Sequence, residues 1–404
     1  MKIVVLKFGG TSVGTVEKIK KAAEIIGNFR KKNYKVIVVS SAMSGVTNEL
    51  IRKSKEICEN FSDQEYDVLV SSGEQVACSL IAGRLMHNGF KSRSWLSWQI
   101  PIITKGNHKD SRISYINKKK IIKYLEMGGI PIITGFQGMN KEQMITTIGR
   151  GGSDASAIML AKFFKAERCI IYTDVEGVYT TDPNKLNKAK KIKVISYEEM
   201  LEMASLGAKV MQPVSIQDAR LNRIDIEVKS SFVKRPGTLI TKRSNIKNNK
   251  IITGISSTNN DSKVTLVGVK DKPGVAASIF KTLSKNSINV DMVVQNISPN
   301  GKETDLKFTI KAEDLNKTKK IIKENKDIKF RKLLLEKGVS KISIIGVGMI
   351  TTPGVTFRMF QTLAKKKINI QVISTSEIKI SVLIDKKNTK KALKALQKEF
   401  KLDN

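Results

Sequence analysis

The feature that most constrains the fold of this chain is an internal repeat in its carboxyl-terminal third. The segment VTLVGVKDKPGVAASIFKTLSKNSINVDMVVQN begins at Val264, and ISIIGVGMITTPGVTFRMFQTLAKKKINIQVIST begins at Ile342. The Pro-Gly-Val at 273–275 aligns with the Pro-Gly-Val at 353–355, an offset of 80 positions. Each copy predicts the order strand, Pro-Gly turn, helix, strand, strand, helix, so the repeat indicates two small α+β modules.

The two copies end differently. A last strand is predicted for the first copy at 329–335, whereas the second copy has no strand after its last helix at 389–398. An unassigned strand at 251–256 precedes the repeat, and we predict that it pairs with the second module. The predicted modules are therefore 262–337 and 338–404, the latter completed by 250–257.

The first part of the chain, residues 1–245, alternates apolar strands with amphipathic helices. Several strands are apolar throughout, as expected where helices cover both faces of a sheet. This pattern predicts an α/β domain with a largely parallel central sheet, followed by a linker at 242–249. The predicted strands are 3–7, 35–40, 100–104, 130–134, 169–173 and 224–228. The predicted helices are 15–32, 46–59, 65–88, 117–127, 154–164 and 197–206.

The charge of the chain does not by itself define a partner. The 404 residues carry a formal net charge of +35, which could indicate binding to RNA or DNA. The excess is mostly lysine and is spread along the whole chain, so we expect solvated lysine-rich faces and no nucleic-acid function. The positive field should nevertheless attract anionic substrates.

Three cysteines without paired spacing and two histidines in separate segments argue against a disulfide framework, a zinc site and a Ser-His-Asp triad. No apolar run reaches the roughly 18 residues of a membrane span, and the first strand is too short for a signal peptide. We therefore expect a cytoplasmic protein that binds no membrane.

Two glycine-rich segments follow predicted strands: KFGGTSVG at 7–14 and GRGGSDASA at 149–157. Such turns expose backbone N–H groups to anions. The ammonium of Lys7 is suited to phosphate, the guanidinium of Arg150 is suited to a carboxylate, and Ser153 is a candidate N-cap. The alternatives are a tight Gly-Gly turn and an ordinary helix start.

A third segment, TDVEGVYTTDP at 173–183, also follows a strand directly. Its aspartates, Asp174 and Asp182, suit either turn formation, which is the commoner case, or polar contacts to a nucleotide.

Six motifs together resemble the aspartokinases of the amino-acid kinase family in order and spacing, and the repeat resembles paired ACT domains. The motifs are KFGGTSVG at 7–14, SSAMSGVTNEL at 40–50, SSGEQ at 71–75, GRGGSD at 149–154, TDVEGVYTTDP at 173–183 and LGAKV at 206–210. The resemblance implies an α/β fold, a three-layer α/β/α sandwich with a mostly parallel central sheet, followed by two α+β (βαββαβ, ferredoxin-like) ACT domains. It also implies an aspartate kinase that uses Mg-ATP and L-aspartate.

The resemblance carries residue roles with it. The catalytic group is Lys7, Arg150, Asp154 and Lys209. The ATP-binding residues are Lys7, Phe8, Gly9, Gly10, Ser41, Thr173, Asp174, Tyr179, Asp182, Lys209 and Val210. The aspartate-binding residues are Thr47, Glu74, Arg150, Gly151, Gly152 and Ser153. No protein side chain is expected to hold a metal, since Mg²⁺ arrives with ATP, and no tightly bound cofactor is expected. Asn184 and Gln212 depart from residues common in the family, which puts typical nucleotide affinity in doubt.

The ACT-like repeat implies feedback inhibition by lysine, alone or with threonine, and a homodimer or higher homo-oligomer formed through these modules. The implied effector-binding residues are Asp271, Gly274, Val275, Ala276, Asn289, Asp291, Gln295, Thr356, Asn369, Ile370, Ser376 and Glu377. Three alternatives stay open: a kinase for acetylglutamate or glutamate, a catalytically inactive amino-acid sensor, and modules that only dimerise the enzyme.

Overall fold

The inner strands of the large central sheet are formed by the most continuously apolar runs of the chain. The computed structural model describes residues 2–207, 210–246, 250–297, 303–325 and 328–403. The strands of its first part are β1 (Ile3–Phe8), β2 (Lys35–Ser40), β3 (Ser92–Trp95), β4 (Ile102–Lys105), β5 (Arg112–Ile116), β6 (Ile130–Thr134), β7 (Gln137–Met139), β8 (Ile145–Thr147), β9 (Arg168–Thr173), β10 (Val194–Ser196), β11 (Ile226–Ser230) and β12 (Thr238–Thr241). The helices are α1 (Val16–Lys31), α2 (Val46–Ile57), α3 (Asp63–His87), α4 (Lys119–Glu126), α5 (Gly152–Phe163), α6 (Tyr197–Ser205) and α7 (Pro213–Asn222).

The central sheet has eight strands in the order β10-β12-β11-β9-β1-β2-β6-β3. Neighbours from β11 to β3 run parallel, and β12 is antiparallel to β11. The predicted α/β class with a mostly parallel sheet is therefore confirmed.

Helices cover both faces of this sheet. Val4, Leu6 and Phe8 of β1 pack in a core with residues of α1 and α3. Successive strand residues point to opposite faces, so Lys7 points to the other face, where α5 contacts β1, β2 and β9.

Three features of this part differ from the sequence predictions. The strand predicted at 100–104 forms β4 in a separate four-stranded sheet with the order β5-β4-β7-β8. The other strands of this small sheet, β5, β7 and β8, were not predicted, because they carry too few alternating residues. Helix α7 was also not predicted, although Pro213 at its first turn is a common helix-start signal.

A second set of elements carries the repeat. Its strands are β13 (Gly254–Lys270), β14 (Val290–Ile297), β15 (Glu303–Lys311), β16 (Lys332–Ile345), β17 (Val372–Ser376) and β18 (Lys379–Asp385). Its helices are α8 (Val275–Lys285), α9 (Leu315–Glu324), α10 (Val355–Lys365) and α11 (Thr389–Glu399). The strands form one six-stranded sheet in the order β14-β15-β13-β16-β18-β17.

Two long strands run through both modules of this sheet. The first half of β13 pairs with the second half of β16, for example Ile255 with Ile344, and the reverse halves pair as Leu266 with Leu333. The second module thus contains the strand that precedes the repeat. Each module keeps its own apolar core.

The chain separates into two compact units, one of Met1–Tyr179 with Lys191–Asn248 and one of Thr180–Lys190 with Asn249–Asn404. The 180–190 segment packs within the second unit: the Ile255 N–H donates to the Thr180 carbonyl at 2.7 Å, and Leu186 joins the core of the second module. The predicted domain 1–245 includes this segment, so the structure draws the boundary differently. None of the helices in the described residues is both long and apolar enough to span a bilayer.

A substitution of Phe308 tests the assigned core of the first module. It is 1% exposed, and its ring packs edge-on against Phe280 at a centroid distance of 5.7 Å. Phe308→Ala should cost about 3–5 kcal/mol in the free energy of unfolding because it leaves a cavity. Phe357→Ala, at a position 64% exposed, is the control and should change it by less than about 0.5 kcal/mol. Calorimetric unfolding of both variants checks this, and equal shifts would contradict the assigned core.

Candidate active site

A cleft of about 780 Å³ opens where β1 and β2 end. In parallel α/β sheets ligands bind at the carboxyl ends of the strands. The predicted site residues that line this cleft are Lys7, Gly10, Ser41, Thr47, Glu74, Arg150, Gly151, Gly152, Ser153 and Asp154. The structure therefore brings together residues from four separated motifs.

A buried ion pair lies at the base of the cleft. The Lys7 Nζ lies 2.6 Å from the Asp154 Oδ1, and the two residues are 8% and 7% exposed. Lys7 is the residue before the end of β1, and Asp154 lies in the first turn of α5. The pair thus fixes the end of the strand against the start of the helix.

Glycine allows the loops after β1 and β2 to approach each other. A Cβ on Gly10 would lie 2.8 Å from the carbonyl oxygen of Ala42, closer than a side chain tolerates. The Ser41 N–H donates to the Phe8 carbonyl at 3.0 Å. These contacts hold the backbone of both loops at the rim of the cleft.

Glu74 places a carboxyl group with unused acceptor capacity in the cleft. It is 3% exposed, and its Oε1 accepts from the Ala42 N–H at 3.1 Å. Its Oε2 is buried and has no hydrogen-bond partner among the described residues. Burial raises the pKa of Glu74 to about 8. A bound cation would complete the hydrogen bonding of Oε2 and favour the ionised form.

The second glycine loop ends in the start of α5. Gly151, with φ +79°, is the N-cap residue of this helix, so the predicted N-cap role of Ser153 is wrong. Ser153 lies in the first turn, because the left-handed conformation at Gly151 starts the helix earlier. The positive end of the helix dipole at this start and the Arg150 guanidinium both suit a carboxylate.

The residues predicted to surround the adenosine are not part of the cleft lining. Thr173 ends β9 and Asp174 follows it, and the Thr173 hydroxyl donates to Asp174 Oδ1 at 3.1 Å. Tyr179 forms an isolated bridge with Lys191. Asp182 accepts from the Asn184 N–H at 2.9 Å in a turn, within the segment that packs in the second unit.

The remaining residues of the predicted ATP site are Phe8, Gly9, Lys209 and Val210. The ring of Phe8 is buried and stacks on Tyr172 at a centroid distance of 4.8 Å, so only its backbone is available to a nucleotide. Gly9 donates its N–H to the Tyr172 carbonyl at 3.1 Å. Val210 precedes α7. Lys209 lies outside the described residues.

The sequence analysis missed several cleft residues, among them two cations and two aromatic side chains. Lys55, Tyr66, Lys109 and Phe136 also line the cleft. Lys109 lies over the Tyr66 ring at 4.5 Å. With 72 lysines and arginines in the chain, no compositional signal could mark these two lysines. Within the described residues, no three His, Cys, Asp or Glu side chains converge on a metal-binding position.

A smaller cavity of about 80 Å³ lies at the start of α8 in the second unit. Of the predicted effector residues, Asp271, Gly274, Val275, Ala276 and Gln295 line it. Asn289 immediately precedes β14 and is outside this lining.

Asp291 forms an ion pair with Lys341, whose side chain is 6% exposed. Of the residues predicted in the second module, Ile370 packs against the core and Thr356 lies in α10. Asn369 precedes Ile370, Ser376 ends β17, and Glu377 is in the turn before β18.

Comparisons with known proteins agree with this arrangement. The model of the "Amino acid kinase family" matches residues 2–230, and that of the "ACT domain" matches 264–325 and 342–400. An aspartate kinase of Stutzerimonas stutzeri is 43% identical over 405 residues, which is 100% of this chain and 98% of the relative.

Two solved structures of E. coli aspartokinase III are similar as well. The complex with lysine and aspartate has a TM-score of 0.83 at 25% identity and covers 99% of this chain and 100% of the relative. The complex with aspartate and ADP has a TM-score of 0.78 at 25% identity and covers 98% and 99%. The chain belongs to the amino acid kinase family, among the aspartokinases with carboxyl-terminal ACT domains.

The raised pKa of Glu74 predicts that the difference in stability between the parent protein and a Glu74→Gln variant depends on pH. The carboxyl has an ordinary pKa of 4.5 and a pKa of about 8 in the folded protein. Between these values the folded state holds a proton that the unfolded state releases, so stability falls as pH rises through this window. Glu74→Gln removes the effect, and the Tm of the variant relative to the parent should therefore increase from pH 5 to pH 8.

Thermal unfolding without ligands measures this difference. Glu65→Gln, at an exposed position of the same helix, is the matched control. Its Tm relative to the parent should not change between pH 5 and pH 8. A Glu74→Gln difference that does not change with pH would contradict the raised pKa.

Proposed function

We propose that this protein is an aspartate kinase, which transfers the γ-phosphoryl group of Mg-ATP to the side-chain carboxylate of L-aspartate and forms 4-phospho-L-aspartate. The observation that carries the proposal is the pairing of charges in one cleft. Glu74, whose Oε2 has no partner in the part of the chain that the structure describes, and Arg150 line the same space as Lys7. The first two groups complement the α-ammonium and α-carboxylate of an amino acid, and the third complements phosphate.

The substrate carboxylate requires no general base. The side chain of aspartate has an unperturbed pKa near 3.9, so it is ionised at neutral pH. Its oxygen attacks the γ-phosphorus, the bond between that phosphorus and the β,γ-bridging oxygen breaks, and ADP leaves with the electron pair. The obstacle is the approach of one anion to another, which preorganised cations and N–H donors reduce.

Each group of residues has a role in this scheme. Lys7, Gly9 and Gly10 hold the β- and γ-phosphates, Phe8 and Ser41 belong to the same ATP site, and Asp154 orients Lys7. Lys209 and Val210 close the phosphate end, and Thr173, Asp174, Tyr179 and Asp182 surround the adenosine. Thr47, Gly151, Gly152 and Ser153 complete the aspartate pocket. Mg²⁺ is bound to ATP and neutralises part of the phosphate charge.

The second unit senses lysine, alone or together with threonine. The cavity at the start of α8 offers the Asp271 carboxylate for the ammonium group of an effector, and the positive end of the helix dipole for its carboxylate. The E. coli relative described in complex with lysine supports this reading. Bound effector inhibits because it binds the less active arrangement more tightly.

The enzyme acts in the cytoplasm as a homodimer or higher homo-oligomer formed through the ACT domains. Its product enters the biosynthesis of lysine, threonine, methionine and diaminopimelate.

ATP turnover by the purified protein tests the proposed reaction. Turnover should depend on aspartate and should not be supported by glutamate or acetylglutamate. Lys7→Ala should lower kcat about a hundredfold or more, by analogy with the loss of one preorganised donor. Lys20→Ala, at a side chain 46% exposed, should leave kcat unchanged. Absence of aspartate-dependent turnover in the folded protein would refute the proposal.

The Asp271→Ala variant tests the proposed sensing site. It should keep the basal rate and lose inhibition by lysine, or by lysine with threonine, because the ammonium group of the effector loses its partner. Asp314→Ala, in the same module and outside the cavity lining, should remain inhibited. Initial rates at increasing effector concentration decide the outcome, and unchanged inhibition of Asp271→Ala would place the effector elsewhere.

A further inference from the structure

Asp67 is a fully buried carboxylate on α3 that no motif singles out. Its Oδ1 accepts from the Thr147 hydroxyl at 2.5 Å, and its Oδ2 lies 2.7 Å from the His108 Nδ1. The Lys109 N–H donates to both oxygens, at 3.2 and 3.1 Å. One side chain thus joins helix α3 to the 107–110 loop and to the end of β8.

The hydrogen bond to Lys109 stabilises an unusual backbone conformation. Lys109 has φ +68°, a left-handed value that a side chain disfavours. The Asp67 side chain, which accepts the Lys109 N–H through both oxygens, offsets this cost locally. Without this acceptor, the Lys109 N–H would be left without its hydrogen bond, and nothing would offset the cost of the positive φ.

The 107–110 loop in turn packs against the start of the second glycine loop. A Cβ on Gly149 would lie 3.0 Å from Asp110 Oδ1 and 3.2 Å from the Lys109 carbonyl oxygen. Ser111 donates its N–H and its hydroxyl to the Thr147 carbonyl at 3.0 and 2.8 Å. The backbone next to Arg150 is therefore confined by the loop that Asp67 holds.

Glu74 lies on the same helix, seven residues after Asp67, which is about two turns. Helix α3 therefore carries both the group proposed for the substrate ammonium and the group that fixes the loop next to Arg150. This arrangement sets the separation between the two ends of the amino-acid site.

We propose that Asp67 is a positioning residue for aspartate: it acts through Lys109, Thr147 and Gly149 to hold Arg150 at the separation from Glu74 that the substrate requires. This inference rests on the proposed aspartate kinase function. Asp67 itself contacts neither substrate nor nucleotide, so its loss should affect aspartate far more than ATP.

The Asp67→Asn variant tests the proposal. The amide keeps the volume of the carboxylate, but its NH₂ group cannot accept from the donors that surround it. KM for aspartate should rise roughly tenfold to a hundredfold, as expected for a displaced binding group, with KM for ATP within about twofold. The preference for aspartate over glutamate in kcat/KM should also fall. Glu65→Gln, exposed on the same helix, should keep all these values.

Thr147→Val is a milder second variant, which removes one donor to Asp67 and should raise KM for aspartate in the same direction. It decides the question if Asp67→Asn does not fold. A normal KM for aspartate in the folded variant, or equal losses for aspartate and ATP, would overturn the positioning role alone. A parent enzyme without aspartate-dependent turnover would refute the proposed function and, with it, this inference.

Discussion

The ion pair between Lys7 and Asp154 is the constraint on which the first unit depends. Each charge, taken alone, would cost several kcal/mol to bury, so neither residue is acceptable in this position without the other. The pair forms only if β1 ends and α5 begins at the same depth, which also sets the two glycine loops opposite each other. The position of the end of β1 relative to the start of α5 therefore determines the geometry of the cleft.

The charge distribution of the cleft explains why it suits a small zwitterion. Four cationic side chains, Lys7, Lys55, Lys109 and Arg150, face two carboxyl groups in its lining. One of these carboxyl groups, Asp154, is paired with Lys7. The other, Glu74, has a raised pKa because it is buried, and no cation among the described residues is paired with its free oxygen. A ligand with an ammonium group would bring that cation itself, so the site is electrostatically complete only when occupied.

Much of this architecture could be predicted from the sequence, because both of its main signals are strong. Apolar strand runs separated by amphipathic helices predict the central sheet, and the repeat predicts the two modules. The small sheet that contains β4 was not predictable, since its strands are short and its two local pairs are joined only by one bridge between Ile103 and Met139. Asp67 was missed for a similar reason: its partners lie 41, 42 and 80 residues away, and nothing local distinguishes it from an exposed helical aspartate.

The long strands β13 and β16 have a consequence for how the second unit can be divided. Each contributes one half to each module, so the second module takes one of its strands from the segment that precedes the first module. A cut between the copies would remove that strand from the second module and leave β16 unpaired on one side there, so the second copy is not a separable part. Because β13 is continuous, the two modules are connected through the backbone of one strand as well as through the chain between the copies.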